Sequence, residues 1–255
     1  MRNIWVALVC AALAACGSDG KDNGGSDANN TGPDAKQFLD APATMNAMIT
    51  VSGQATVRDV NGATPTAGVT IAAYRNSDEN TPIAMTTSDA QGMYSLTIQT
   101  NGEALDGFLK ATLSGHKTTY LYPPYPLGMD FNMASVIMVT PMTYDTLSTF
   151  SQANHQPGKA LVALIVTDGV MNPIAGATVS SNPAAMPPAR YNAVLGGTIV
   201  GPSVQATSTY TDGIAYLFNL PPGQVMVSAM KAPMTFKTHS VKGWADELVT
   251  TVIVP

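Results

Sequence analysis

The residues of this chain with the clearest chemical capability are its two cysteines and three histidines. Thiolates and imidazoles act as nucleophiles, general bases and metal ligands. The histidines His116, His155 and His239 lie far apart, and none has a second His or a Glu at the short spacing of a zinc motif. No Gly-x-Ser-x-Gly nucleophile motif and no glycine-rich phosphate loop occurs in the sequence. We therefore predict a protein that is not an enzyme, with no catalytic residue, no metal site and no bound cofactor.

Both cysteines belong to the N-terminal segment. Arg2 gives this segment a positive charge, residues 4–12 form an apolar run, and Leu-Ala-Ala precedes Cys16. A charged tip, a short apolar run and small residues before a cleavage point are typical of a secretory signal. The run is also shorter than the ~20 residues that a membrane-spanning helix needs. The sequence therefore predicts a signal peptide over residues 1–15.

The sequence Leu-Ala-Ala-Cys resembles the lipobox of bacterial lipoproteins, in which cleavage precedes the Cys and lipids are attached to it. The resemblance implies that the mature chain begins at Cys16 and is held to a membrane by a lipid on that residue. Gly17 follows the Cys, whereas in that family an Asp there keeps many lipoproteins in the inner membrane of diderm bacteria. We therefore expect a lipid-anchored envelope protein, in the outer membrane (periplasmic side or surface) if the cell is diderm. Because Cys10 would leave with the signal peptide, the folded part can form no disulfide.

Charge and composition exclude one class of partner. The chain carries a formal net charge of −5, only 11% of its residues are charged, and no cluster of Lys and Arg occurs. Nucleic-acid binding requires a basic surface, so we expect no nucleic-acid partner. Residues 16–44, after the predicted cleavage point, are rich in Gly, Asp, Asn and Ser. Such a segment buries too little apolar surface to offset the entropy of ordering, and we predict a flexible linker.

From residue 45 onward the sequence is typical of a β protein. Alternating apolar residues between Gly, Asn, Asp and Pro turns, as at Tyr94, Leu96 and Ile98, predict half-buried strands. The pattern also repeats in order: residues 57–59, 67–70, 88–94 and 109–111 match residues 166–168, 175–179, 211–216 and 227–229. We therefore predict an all-β fold of two tandem β-sandwiches, over residues 45–140 and 158–255. Residues 141–157 form the linker between them, with a short helix that Thr140 caps and Pro141 begins.

The order of these motifs resembles the carboxypeptidase regulatory-like family. Residues 89–94 carry the first match, and residues 212–216 with the Leu-Pro-Pro-Gly of residues 220–223 carry the second. The resemblance implies an immunoglobulin- or transthyretin-like β-sandwich in each copy, with Tyr94 and Tyr216 filling the core from the inner face of a strand. It implies no peptidase activity, because the His-x-x-Glu zinc motif of the catalytic domain does not occur in this sequence.

One segment has the composition of a binding surface. Tyr120, Tyr122 and Tyr125 lie in eight residues that also contain three prolines, and Trp244 precedes the last predicted strand. Tyrosines on a rigid backbone can form a platform on which sugars stack or a protein partner is anchored. Alternatively, the rings cover the open end of the first sandwich or the joint between domains, and Trp244 plugs a turn.

Three functions therefore remain open. The first is an interaction or structural module, and the second is a carbohydrate-binding module that uses the three tyrosines. The third is a hydrolase with an unrecognised Ser/His/Asp site. Exposed, coplanar tyrosines favour the second function and buried tyrosines favour the first. A histidine within hydrogen-bond reach of both a Ser and an Asp would favour the third.

Overall fold

The computed structural model of the chain describes residues 45–59, 62–195 and 198–255. The predicted signal peptide, Cys16 and the predicted linker lie outside the described residues. Within them, the chain forms one helix and 17 strands, in the order β1 (Met48–Asp59), β2 (Gly62–Pro65), β3 (Thr70–Arg75), β4 (Ala84–Thr87), β5 (Met93–Gln99), β6 (Gly107–Thr112), β7 (Thr119–Tyr122), β8 (Val136–Val139), α1 (Pro141–Phe150), β9 (Ala160–Val166), β10 (Thr178–Asn182), β11 (Arg190–Leu195), β12 (Thr198–Ser203), β13 (Ile214–Leu220), β14 (Gly223–Lys231), β15 (Met234–Thr235), β16 (His239–Gly243) and β17 (Leu248–Ile253).

The strands form three sheets, which confirms the predicted all-β class. One four-stranded sheet has the order β2-β1-β5, with β8 beside β1, and another has the order β10-β14-β15, with β16 beside β14. The third sheet has nine strands in the order β12-β11-β13-β9-β17-β7-β6-β3-β4. Strands β1–β8, called the first sandwich below, and strands β9–β17, called the second sandwich, both contribute to this large sheet.

Each sandwich has a core between its small sheet and its part of the nine-stranded sheet. In the first sandwich, Ile49 of β1 and Leu96 of β5 pack in one buried cluster with Ile71 of β3 and Leu109 of β6. In the second sandwich, strands β9, β13 and β17 pack in the same way against β10, β14 and β16. The alternating apolar residues that predict the strands therefore point into two cores of the expected kind.

The last strand, β17, joins the two sandwiches. It lies parallel to β9 and, on its other side, parallel to β7, so that Thr250 pairs with Ala163 and with Leu121. The edge of the first sandwich is therefore hydrogen-bonded to the edge of the second. One sheet runs through both sandwiches, although residues 141–157 separate them in the sequence. The predicted domain limits stay a prediction, but the two sandwiches share one sheet.

The helix α1 begins where the sequence predicts. The Thr140 hydroxyl accepts a hydrogen bond from the Thr143 backbone N–H at 3.1 Å, and Pro141 occupies the first turn. Tyr144 and Leu147 pack on the face of the nine-stranded sheet that points away from the second sandwich core. Strand β9 lies between this helix and the core of the second sandwich, so it is covered on both faces. This explains its continuous apolar sequence, Ala-Leu-Val-Ala-Leu-Ile-Val.

Matching hydrogen bonds establish the repeat at atomic detail. In the first copy, Ser88 Oγ accepts from the Val69 backbone N–H at 2.9 Å, and the Gly68 N–H donates to the Ser88 carbonyl at 3.0 Å. In the second copy, Thr209 Oγ1 accepts from the Ala177 N–H at 2.9 Å, and the Gly176 N–H donates to the Thr209 carbonyl at 2.7 Å. The same side-chain bridge therefore holds the Ala-Gly turn in both copies.

The structure corrects the predicted role of Tyr216. The N–H of Ala55 donates to the Gly92 carbonyl, and the N–H of Val166 donates to the Gly213 carbonyl, so the two glycines are equivalent. Tyr94 comes two residues after its glycine and Tyr216 comes three after. Successive strand residues point to opposite faces, so Tyr94 fills the first sandwich core and Tyr216 packs beneath α1. The prediction is right for Tyr94 and wrong for Tyr216.

Candidate functional site

The structure places Tyr120 and Tyr122 inside the molecule. Both belong to β7, and only 5% and 3% of their surfaces are exposed. They pack in the cluster of the second sandwich, whereas Leu121 between them packs in the first. A platform of three tyrosines is therefore wrong, because β7 lies in the middle of a sheet that is covered on both faces. The structure instead has the alternative arrangement, in which the rings of Tyr120 and Tyr122 fill the joint between the two sandwiches.

Trp244 completes this inter-sandwich joint. Its ring stacks on Tyr120 with centroids 4.2 Å apart and planes 3° apart, and its Nε1–H donates to the Tyr122 hydroxyl at 3.4 Å. The Lys242 ammonium lies 4.1 Å from the centroid of Trp244 and forms an ion pair with Glu79 of the first sandwich. Burial raises the pKa of Tyr122 to about 12, so the hydroxyl stays protonated. Trp244 thus packs in the joint between the two sandwiches, whereas the sequence suggested that it plugs a turn.

Tyr125 has a different position, at the rim of an inter-sandwich cleft of about 680 Å³. Its side chain is 39% exposed. The first sandwich lines the cleft with Asn76, Glu79, Asp106 and residues 122–126. The second sandwich contributes Gln224, residues 237–242, Val252 and Val254. This volume lies within the range of about 300–1,000 Å³ that is usual for small-molecule sites.

Polar side chains on the two walls are held by hydrogen bonds. On the first wall, the Asn76 amide donates to the Asp106 carboxylate at 2.8 Å. On the second wall, the Gln224 amide donates to the Ser240 hydroxyl at 3.1 Å. The ion pair between Lys242 and Glu79 connects the walls. Because these groups come from distant loops and strands, with Glu79 and Lys242 separated by 163 residues, sequence spacing gives no signal for the cleft, apart from Tyr125 itself.

His239 belongs to the second wall and lies in strand β16. Burial lowers the pKa of His239 to about 4, and the nearby Asp106 carboxylate opposes this effect only in part. Its Nε2 atom is buried and has no hydrogen-bond partner among the described residues. The imidazole is therefore neutral at pH 7.

The hydrolase hypothesis fails on geometry at His155. The Nε2 atom of this ring lies 3.0 Å from Asp246 Oδ1, and this contact is the main cause of the lowered pKa of Asp246. Ser148, however, accepts a hydrogen bond from the backbone N–H of His155 at 2.5 Å, not from the ring. The ring Nδ1 is buried without a partner among the described residues. A triad needs the serine on one ring nitrogen and the acid on the other, so this cluster has no serine nucleophile and holds a loop in place.

Two features are absent from the part of the chain that the structure describes. No group of three or more His, Cys, Asp or Glu residues in it is arranged to hold a metal ion. No helix among these residues is long and apolar enough to cross a membrane.

Comparison with known proteins finds matches of very low similarity, and these are solved structures. No family model matches the sequence, and no curated protein matches it. Among solved structures, the minor pilin GBS52 of Streptococcus agalactiae is 11% identical, with 81% of this chain and 94% of the pilin covered and a TM-score of 0.26. The major pilin subunit BcpA of Bacillus cereus is 11% identical, with 81% and 99% covered and a TM-score of 0.27.

The TIE protein of Bacillus anthracis is 12% identical, with 81% of this chain and 34% of that protein covered and a TM-score of 0.25. The chain thus spans about a third of the length of the TIE protein.

Proposed function

We propose that this protein is a non-enzymatic envelope lipoprotein in which two fused β-sandwiches serve protein interaction or structural support. A single observation carries the proposal: β17 pairs with β9 and β7 at once, so that the sandwiches form one continuous sheet. A support or display protein must hold its surfaces in a fixed relation, and a shared sheet does this better than a flexible linker between domains.

The buried joint supports the same role. Tyr120, Tyr122 and Trp244 pack against one another across the two sandwiches, with Phe108 stacked on Tyr122 at 5.2 Å between centroids. Aromatic contacts of this kind add stability beyond the area that they bury. The rings that could have served as a binding platform instead fix the orientation of the sandwiches.

The proposed location rests on the N-terminal sequence. The charged tip, the short apolar run and the Leu-Ala-Ala-Cys sequence support a lipid anchor at Cys16, with the membrane as one partner. Gly17 supports the outer membrane in a diderm cell. The repeated Ala-Gly turns and the matching motifs of residues 89–94 and 212–216 support membership of the carboxypeptidase regulatory-like group, whose bacterial lipoproteins are similar in layout. Residues 17–44 would then be the spacer between lipid and sandwiches.

Metabolic labelling tests the anchor directly. Cells expressing the full chain are grown with labelled palmitate, and the membrane fraction is compared for the wild type and for Cys16→Ser. We expect label and membrane retention in the wild type, and loss of both in the variant. Label that persists in Cys16→Ser, or an unlabelled wild-type chain, would contradict the anchor.

A further inference from the structure

We propose that the inter-sandwich cleft binds a short, neutral oligosaccharide, with the ring of Tyr125 as its stacking surface. The inference rests on the proposed display function, since it names a ligand class for a surface that the fused sandwiches create. It does not rest on the tyrosine platform suggested by the sequence, because Tyr120 and Tyr122 are buried.

The polar groups of the cleft match the hydroxyl groups of a sugar. The Asn76 amide and the Asp106 carboxylate form one pair on the first wall, and Gln224 and Ser240 form another on the second. Amides and carboxylates each present two polar atoms in one plane and can serve adjacent hydroxyls. Because each pair is already oriented by its own hydrogen bond, little side-chain entropy is lost when a ligand binds.

The charge of the cleft favours a neutral ligand. Glu79 and Asp106 are balanced by Lys237 and Lys242, so the formal charges of the lining side chains sum to zero. His239 adds no charge at pH 7, because burial keeps its pKa low. A phosphate or a strongly acidic ligand would require a surplus of cations, which these walls do not provide.

The apolar part of the site is small and stiff. Tyr125 is 39% exposed and lies between Pro124 and Pro126, whose rings restrict the backbone. An exposed aromatic face on a restrained loop suits the C–H face of a pyranose ring and costs little conformational entropy on binding. The cleft opens between two walls that the joint holds in place, so the site exists before the ligand arrives.

The test is calorimetric titration of the full chain with five uncharged tetrasaccharides: cellotetraose, maltotetraose, xylotetraose, mannotetraose and chitotetraose. A neutral proline-rich decapeptide forms a separate arm, because proline and tyrosine surfaces also receive peptides. We expect at least one tetrasaccharide to bind, and Tyr125→Ala to weaken that binding by about tenfold. Tyr125→Phe keeps the ring and should stay within about threefold of the wild type.

Tyr210→Ala is the matched control, because Tyr210 is 40% exposed and does not line the cleft. It should bind as the wild type does, whereas Gln224→Ala should bind about threefold to tenfold more weakly. Absence of binding by all five sugars at millimolar concentration would overturn the inference. So would equal binding by Tyr125→Ala and Tyr210→Ala, or binding of the peptide alone.

Failure of this inference is distinguishable from failure of the proposed function. A chain that takes up palmitate at Cys16 but binds no tetrasaccharide keeps its anchor and loses the proposed ligand. A chain that binds the sugar but takes up no lipid keeps the cleft and loses the anchor. Equal melting temperatures for Tyr125→Ala and the wild type show that lost binding does not reflect unfolding.

Discussion

The two sandwiches have equivalent Ala-Gly turns and equivalent first strands, β1 and β9, but their last strands differ in pairing. In the first, β8 pairs with β1 in parallel, and in the second, β17 pairs with β9 in parallel. Only β17 goes on to pair with the other sandwich, through β7. The second edge of β17 therefore gives the repeated fold a shared sheet and the cleft beside it.

The buried faces of the two copies also differ. Tyr94 lies in the sandwich core and donates from its hydroxyl to the Ala134 carbonyl. Tyr216 lies on the opposite face, under α1, because it is one residue further from its glycine. A shift of one residue in a strand moves a side chain to the other face. The helix-covered face is therefore specific to the second copy, although both sequences contain a Gly-x-Tyr-like motif.

The largest expected effect comes from breaking the joint. Tyr120→Ala should lower the free energy of unfolding by about 3–5 kcal/mol, because it removes a buried ring and its stack on Trp244. Tyr125→Ala removes the same atoms from an exposed site and should change the stability by less than about 0.5 kcal/mol. Chemical denaturation of both variants measures the difference. Similar losses for the two would contradict the burial of Tyr120.

The equivalence of Gly92 and Gly213 predicts a second effect that is the same in both copies. Both have positive φ, and a Cβ would lie 2.4 Å from the Ala55 carbonyl oxygen and 2.5 Å from that of Val166. Alanine at either position should therefore cost about 3 kcal/mol. Gly68→Ala, in a turn with φ of +77° and open space around it, should cost only about 1–2 kcal/mol. Thermal melts of the three variants test this order.

The shared side-chain bridge gives a third, smaller effect. Ser88→Ala and Thr209→Ala should each destabilise the chain by about 1–3 kcal/mol, since each leaves a buried backbone N–H without its partner. Ser180→Ala is the control, because its hydroxyl bonds to that of Ser228 on an exposed face. A loss in only one copy would show that the two turns are not equivalent.

Acid should affect the second sandwich through His239 of β16, whereas β7, in the first sandwich, contains no histidine. The unfolded ring takes up a proton near pH 6.5, whereas the folded ring stays neutral down to about pH 4. The unfolded state therefore binds more protons in this window, and stability falls as the pH decreases from 6.5 to 4. From this difference in pKa we expect a loss of about 1–2 kcal/mol between pH 7 and pH 5 that His239→Gln removes. Parallel stability profiles for wild type and variant would refute this.

The sequence predicts the strands well and the joint poorly. Alternation at Tyr94, Leu96 and Ile98 and the cap at Thr140 are local signals, so the strand and the helix start are found where expected. The burial of Tyr120 and Tyr122 depends on pairing with β17, about 130 residues later, and no local pattern specifies that partner. The continuous apolar sequence of β9 was the available sign of a strand covered on both faces.

The cleft was beyond prediction for the same reason. Asn76 and Asp106 come from two loops of the first sandwich, and Gln224 and Ser240 from two strands of the second. Only the shared sheet brings them to one groove. Tyr125 was identified as a contact candidate from composition alone, and its place at the rim of the cleft follows from the chain leaving β7 just before it.

Differential scanning calorimetry of the full chain tests most directly whether the two sandwiches form one unit. A continuous sheet and a common aromatic joint predict a single transition, with a calorimetric enthalpy equal to the van't Hoff enthalpy. Two separate transitions, or a calorimetric enthalpy about twice the van't Hoff value, would show that the sandwiches unfold independently and that β17 does not fuse them.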